Sequence, residues 1–343
     1  MNRDIAEVLS RYRDDWPSPA VEALGAAGGF SGAEFWRLAS RTGPLCLRRW
    51  PAEHPTPERL EWIHRVLWHA HVAGVAILPV PLVTRDGASF VRHGGRLWEL
   101  TAWLPGRAAE RPVAPGRVAA AFMAVARLHL ACADFAPPVT MRTGSPGLEE
   151  RHERLLRLID GDIHRLRLHC RPMLGGPWEP LRPMAIGVLE SFDLLAGDVD
   201  RTLCKARELD VRIQPCVRDL RREHVLFSGE KVTGLIDFGS MRQETVAADV
   251  ARLLIEVCGN DASLRELALT SYESLRPLDA NERALLAAFE ISGTLLGAIN
   301  WLTWLFVDGR HFANHDAVCR RFSEMARRLA GLAEPFDEPD EAI

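Results

Sequence analysis

Two aspartates eighteen residues apart constrain this chain more than any other feature. Cys216-Val217-Arg218-Asp219-Leu220-Arg221-Arg222-Glu223-His224-Val225-Leu226-Phe227 leads on to Leu235-Ile236-Asp237-Phe238-Gly239. Residues 225–227 read as a short apolar strand, Ser228-Gly229-Glu230-Lys231 as a turn, and 232–236 as the returning strand. Such a hairpin carries Asp237 back beside Asp219 and His224. Ionised carboxylates brought together need a cation or a proton between them. Magnesium is the simplest answer, because a hard cation favours carboxylate oxygen and phosphate.

Periodicity places this hairpin in a chain of two characters. Residues 1–20 read as an N-terminal helix, amphipathic over 5–12. Strand patterns follow at 21–24, 34–38 and 45–50, the first two separated by the glycine turn Gly28-Gly29-Phe30-Ser31-Gly32. Thr56 and Pro57 open a helix over 58–72, with Leu60, Ile63, Leu67 and Ala70 on one face. Two more strands fall at 89–92 and 97–102. From Pro115 the pattern turns helical, at 118–132, 148–168, 183–207 and beyond Thr245. The expectation is an α+β fold: a small antiparallel β-rich lobe over 21–103, a larger mainly helical lobe with a β-hairpin over 104–335, and an acidic tail at 336–343.

Composition excludes several classes. Basic and acidic residues number 42 and 46, a net charge of −4 that gives no footprint for nucleic acid. Lys205 and Lys231 are the only lysines, so a cation needed in the N-terminal half must be arginine. The seven cysteines form no CxxC pair and read as reduced thiols in a cytoplasmic protein. The first residues lack the apolar core of a signal peptide. The apolar stretch 284–307 is interrupted by Glu290, Ser292, Thr294, Asn300 and Thr303, which favours a core helix over a membrane span. His64, His69 and His71 read as surface or packing residues.

The segment from Asp219 to Gly239 resembles the catalytic core of the aminoglycoside phosphotransferase and choline kinase-like superfamily, relatives of the protein kinases. The likeness extends over roughly 20–335. It implies a two-lobe protein-kinase-like fold and ATP-dependent transfer of the γ-phosphoryl group to a hydroxyl of a small molecule, such as an amino sugar or amino alcohol. By this resemblance Asp219 is the catalytic base, and Asp237 with Phe238-Gly239 is the metal motif. His224 stands where the family has a metal-binding Asn, and Asp249 stands where an Asp braces the catalytic loop. Gly28, Gly29, Phe30, Ser31 and Gly32 match the loop over the nucleotide phosphates. Arg48 takes the place of the strand lysine; it shares a face with Cys46, opposite to Leu47. Glu61 or Glu58 is expected to pair with it. Glu99, Thr101 and Trp103 match the hinge where adenine meets backbone groups. ATP and Mg2+ are the implied cofactors, with Mn2+ possible because imidazole suits Mg2+ poorly.

Three departures stand out: Val217-Arg218 where the family has His-Gly, His224 for Asn, and Arg48 for Lys. They keep open a second reading, a kinase-like protein that binds nucleotide or a partner and transfers nothing. No long segment ending in Ala-Pro-Glu follows Gly239, which disfavours a protein substrate. Expected partners are therefore a small-molecule hydroxyl substrate, with no nucleic acid and no membrane.

Overall fold

The computed structural model describes residues 3–13, 21–25, 32–41, 43–135, 142–170, 177–312 and 314–333. In chain order the first elements are α1 (Arg3–Ser10), β1 (Val21–Gly25), β2 (Glu34–Leu38), β3 (Leu45–Arg49), α2 (Pro57–Val72), β4 (Val91–His93), β5 (Arg96–Ala102), β6 (Arg107–Ala108) and α3 (Pro115–Cys132). Then come β7 (Arg142–Thr143), α4 (Pro146–Arg157), α5 (Ile163–Cys170), α6 (Arg182–Arg207), β8 (Val211–Arg212) and β9 (Gln214–Cys216). The last are β10 (Val225–Ser228), β11 (Lys231–Leu235), β12 (Arg242–Glu244), α7 (Ala247–Val257), α8 (Ala262–Glu273), α9 (Ala280–Leu302) and α10 (His315–Ala333). They form two compact units. One is Met1–Met141 with Arg212–Asp279; the other is Arg142–Val211 with Ala280–Ile343. The sequence reading divides the chain at 103/104, whereas by packing the segment with both aspartates groups with the N-terminal strands.

In the first unit, five antiparallel strands lie in the order β1-β2-β3-β5-β4. Strand alternation gives this sheet two different faces. Leu45, Leu47, Trp98 and Leu100 pack with Ile5, Val8 and Tyr12 of the N-terminal segment. The other face carries Arg48, Leu97, Glu99 and Thr101, and there Leu97 meets Leu60 of α2 and Trp50. Helix α2 starts where the sequence places it: Pro57 is in its first turn and the Thr56 hydroxyl accepts from the Arg59 N–H. The hairpin β10/β11 forms as expected, and β6 adds to its edge. A two-stranded ladder between β9 and β12, not anticipated from so few residues, joins the chain before Asp219 to the chain after Asp237.

The second unit is mainly helical. The helix expected over 148–168 is two helices, α4 and α5, because Gly161 sits at φ 154° inside the π-type turn Leu158–Asp162. No L-residue adopts that conformation comfortably, so the break is built into the sequence. The stretch Ala280–Val307 is long and apolar enough to cross a membrane by length and composition, yet 67% of its most apolar window is buried within the protein.

Candidate active site

The site is assembled from the loop after β9, the hairpin β10/β11, and the α2-facing side of the sheet. The loop is braced from beneath. Asp249, in the first turn of α7, is fully buried, and its carboxylate accepts from the backbone N–H groups of Val217 at 2.7 Å and Arg218 at 2.6 Å. His129 of α3 approaches the same carboxylate at 3.1 Å through Nε2, and its Nδ1 lies 2.7 Å from the Tyr272 hydroxyl. Because the carboxylate only accepts, Nε2 of His129 carries the proton. Gln214 donates to the His129 carbonyl at 2.7 Å. A buried carboxylate is tolerable only with such donors around it, and here they fix the loop's path. Arg218 is held at φ 65°, in left-handed backbone that L-residues seldom adopt.

That turn presents Asp219. Its Oδ1 accepts from Arg221 Nε at 3.0 Å and from Arg252 Nη2 at 3.2 Å. Burial alone would raise the pKa of this carboxyl. The Arg221 and Arg252 charges, then His224, outweigh burial and hold it well below the usual carboxylate range. Asp219 is thus an ionised acceptor of low basicity. It is suited to orienting a hydroxyl and taking its proton only as negative charge leaves the attacking oxygen.

His224 links this loop to the Asp237-Phe238-Gly239 turn. Its Nδ1 lies 2.9 Å from the Asp219 carbonyl, which can only accept, so Nδ1 donates. In the neutral ring the Nε2 lone pair then faces Asp237 Oδ2, 3.6 Å away. Asp237 follows β11 in left-handed backbone, φ 64°, with its carboxylate 41% exposed. Two acceptors pointed at each other across such a gap are completed by a proton or a metal cation. The donor set, one carboxylate oxygen and one imidazole nitrogen, fits Mn2+ more readily than Mg2+.

Arg48 completes the cluster. Its Nη2 donates to Asp237 Oδ1 at 3.2 Å, and its guanidinium carbon lies 3.3 Å from the centre of the Trp50 ring and 5.1 Å from that of Phe35. Trp50 also packs against Gly239, where a Cβ would come within 3.0 Å of the indole. The neighbouring Arg49 points elsewhere, to Glu34 and the rings of Trp36 and Trp98. The choice between the two arginines follows from strand alternation.

Not every expected residue joins this cluster. Glu61 and Glu58 are both exposed on α2, and neither pairs with Arg48. The pairing expected there is corrected: Arg48 faces Glu99, at 3.9 Å. Glu99 turns its side chain toward Arg48 from within β5, with His64 Nε2 at 2.7 Å from its other oxygen. Burial would raise the Glu99 pKa, but the His64 hydrogen bond and the charges of His64 and Arg48 bring it below its ordinary value. Thr101 is buried in the same strand opposite Cys46. The Trp103 N–H is taken by the Pro44 carbonyl at 2.9 Å, and Arg37 covers its ring at 5.1 Å. Gly28, Gly29, Phe30 and Ser31 lie outside the described residues; Gly32 is described, at φ 78° beside Pro51.

Sequence reasoning missed two contributors. Arg59 donates to the carbonyls of Gly239 at 3.3 Å and Met241 at 3.1 Å, tying α2 to the Asp-Phe-Gly turn. His64 is buried rather than merely packed. A histidine on the apolar stripe with Leu60, Ile63 and Leu67 was the available signal, since a buried imidazole needs a polar partner.

A profile of the phosphotransferase enzyme family, APH, matches residues 22–287. The homoserine kinase of Mesorhizobium japonicum is 28% identical over 243 residues, 68% of each chain. Across the homoserine kinases that match, the aligned region covers 57–74% of their length, under two thirds in several. Among solved structures, a microcompartment-associated aminopropanol kinase superposes with a TM-score of 0.65 at 19% identity, covering 98% of this chain and 97% of that one. An amicoumacin kinase in complex with AMP-PNP, Ca2+ and Ami superposes equally, 0.65 at 13% identity, covering 97% and 94%. At these identities the structures establish a shared fold.

Proposed function

Since this chain belongs to the phosphotransferase enzyme family, a family of small-molecule kinases, we propose that it transfers the γ-phosphoryl group of ATP to a hydroxyl of a small amine-bearing metabolite, an amino alcohol, hydroxy amino acid or amino sugar. The observation that carries this is the convergence of Asp219, His224, Asp237 and Arg48 within one packed unit. In this reading residues 21–103 supply the nucleotide-binding lobe and 104–335 the catalytic one, and the enzyme works in the cytoplasm with its thiols reduced.

Asp219 orients the acceptor hydroxyl and receives its proton as the oxygen bonds to the γ-phosphorus and the bond to the β–γ bridging oxygen breaks, releasing ADP. Arg48 holds phosphate oxygens through its planar fork. Asp237 and His224 would hold the divalent cation, which when bound neutralises phosphate charge. Trp103, half-buried just past β5, lines the approach to the adenine. The homoserine kinase and aminopropanol kinase relatives make amino acid and amino alcohol hydroxyls the first acceptors to try.

The test is ADP release with ATP, Mg2+ or Mn2+, and a panel of homoserine, aminopropanol and aminoglycosides. Asp219→Asn should lower turnover by at least ~100-fold while nucleotide affinity stays within about threefold. A fully active Asp219→Asn protein would defeat the assignment. Metal-dependent nucleotide binding with no transfer to any acceptor would favour the non-catalytic reading.

A further inference from the structure

The anchor of Arg48 comes from the sheet and not from a helix. Glu99 lies directly across from Arg48 in the β3/β5 ladder, and alternation turns both side chains to the α2 face. One Glu99 oxygen is 3.9 Å from Nη1 of Arg48, and the other is 2.7 Å from Nε2 of His64. All three side chains are at least nine-tenths buried, exposed by 10%, 10% and 1% for Arg48, Glu99 and His64. Trp50 stacks on the guanidinium from one side.

These contacts divide the work between two carboxylates. Asp237 is half-exposed, and a cation drawn to its carboxylate would share the negative charge that holds Arg48. Glu99 is enclosed and has no such competitor. His64 engages one of its oxygens, which leaves the other toward Arg48. Burying a carboxylate is costly unless charge and donors surround it, and Arg48 with His64 supplies both. Register sets Glu99 across from Arg48, and His64 of α2 then orients the carboxylate.

We propose that Glu99, oriented by His64, is the positioning residue that keeps Arg48 directed at the nucleotide phosphates, the part expected of a carboxylate on α2. The assignment rests on the phosphotransferase reading above. The anchoring carboxylate is on β5.

The experiment is calorimetric titration of the full chain with AMP-PNP and Mn2+ or Mg2+. The proteins are wild type, Glu99→Gln, Glu61→Gln, Arg48→Met and the Glu99→Gln/Arg48→Met double variant. Glu99→Gln should weaken binding by about tenfold or more, and Glu61→Gln by less than about twofold. In the Arg48→Met background the Glu99 substitution should cost nothing further, because it acts through Arg48. A general structural role would instead subtract the same affinity in both backgrounds, and that additivity overturns the proposal. So does a Glu99→Gln protein that binds like wild type, or a loss confined to Glu61→Gln. If Glu99→Gln does not fold by its melting curve, Glu99→Asp replaces it. Drawing the carboxylate back by one methylene should weaken binding by about threefold, again only when Arg48 is present. Wild-type protein that binds no AMP-PNP under either metal removes the phosphotransferase reading, and this assignment with it.

Discussion

At the scale of single residues, His224 is the most consequential departure. An asparagine in its place would offer a carbonyl oxygen, the donor Mg2+ prefers, whereas imidazole nitrogen suits softer divalent ions. The Nδ1 bond to the Asp219 carbonyl turns Nε2 toward Asp237, so the nitrogen is aimed where the cation would sit. The wild-type protein should therefore work better with Mn2+ than with Mg2+. His224→Asn should move the Mn2+/Mg2+ ratio of nucleotide affinities toward Mg2+ by about fivefold or more. Titrations with AMP-PNP under each metal read this directly, and an unchanged ratio would remove His224 from the cation site. Asp219, His224 and Asp237 were legible because they lie within nineteen consecutive positions, joined by a hairpin whose turn is written in the sequence. The Arg48 partner was not. Which residue of β5 lies opposite Arg48 depends on register across fifty residues of intervening chain, and no local pattern encodes that.

At the scale of elements, the same contrast separates the hairpin from its support. The β10/β11 hairpin follows from alternation and a Gly turn, but β9 and β12 are three residues each and carry too little pattern to be seen. Next to them lies the Asp249 brace, which joins α3, α7, α8 and the loop carrying Asp219 through His129, Tyr272 and two backbone N–H groups. Asp249→Asn keeps the shape but replaces one acceptor by a donor, aimed at groups that themselves donate. The protein should lose about 2–3 kcal/mol of stability, the cost of a buried donor left without an acceptor. Urea unfolding with an unchanged m-value measures it. Turnover should fall too, since the loop carrying Asp219 loses its support. A variant as stable as wild type would mean the brace is incidental. The break between α4 and α5 is the converse case, where one glycine outweighs a continuous helical pattern. Gly161→Ala should destabilise the protein by about 1 kcal/mol or more, because the L-residue cannot adopt φ 154° without strain.

At the scale of the whole molecule, the α+β class and the strand-to-helix change of character were readable, because periodicity reports elements one at a time. The grouping into units was not, because residues 212–279 join the N-terminal unit through contacts distant in sequence. One property is found in both units: thiols that are buried or, at Cys46, half-buried. Burial pushes Cys46 and Cys132 of the first unit up to about 12, Cys170 of the second up to about 11, and Cys216 well above its ordinary value. In the unfolded chain these thiols ionise near ~8.5. Between that pH and the folded values, the folded protein therefore binds more protons than the unfolded one. Stability is then intact below about pH 8.5 and falls as pH rises toward 11–12, by on the order of 1.4 kcal/mol per pH unit for each thiol that stays protonated. Melting temperatures taken from pH 7 to pH 10.5 should hold steady at first and then drop steeply. A Cys46→Ala/Cys132→Ala protein, compared with its own value at pH 7, should show a shallower decline. A wild-type melting temperature that stays level to pH 10.5 would mean that the sheet and helix cores admit thiolate, contrary to their burial.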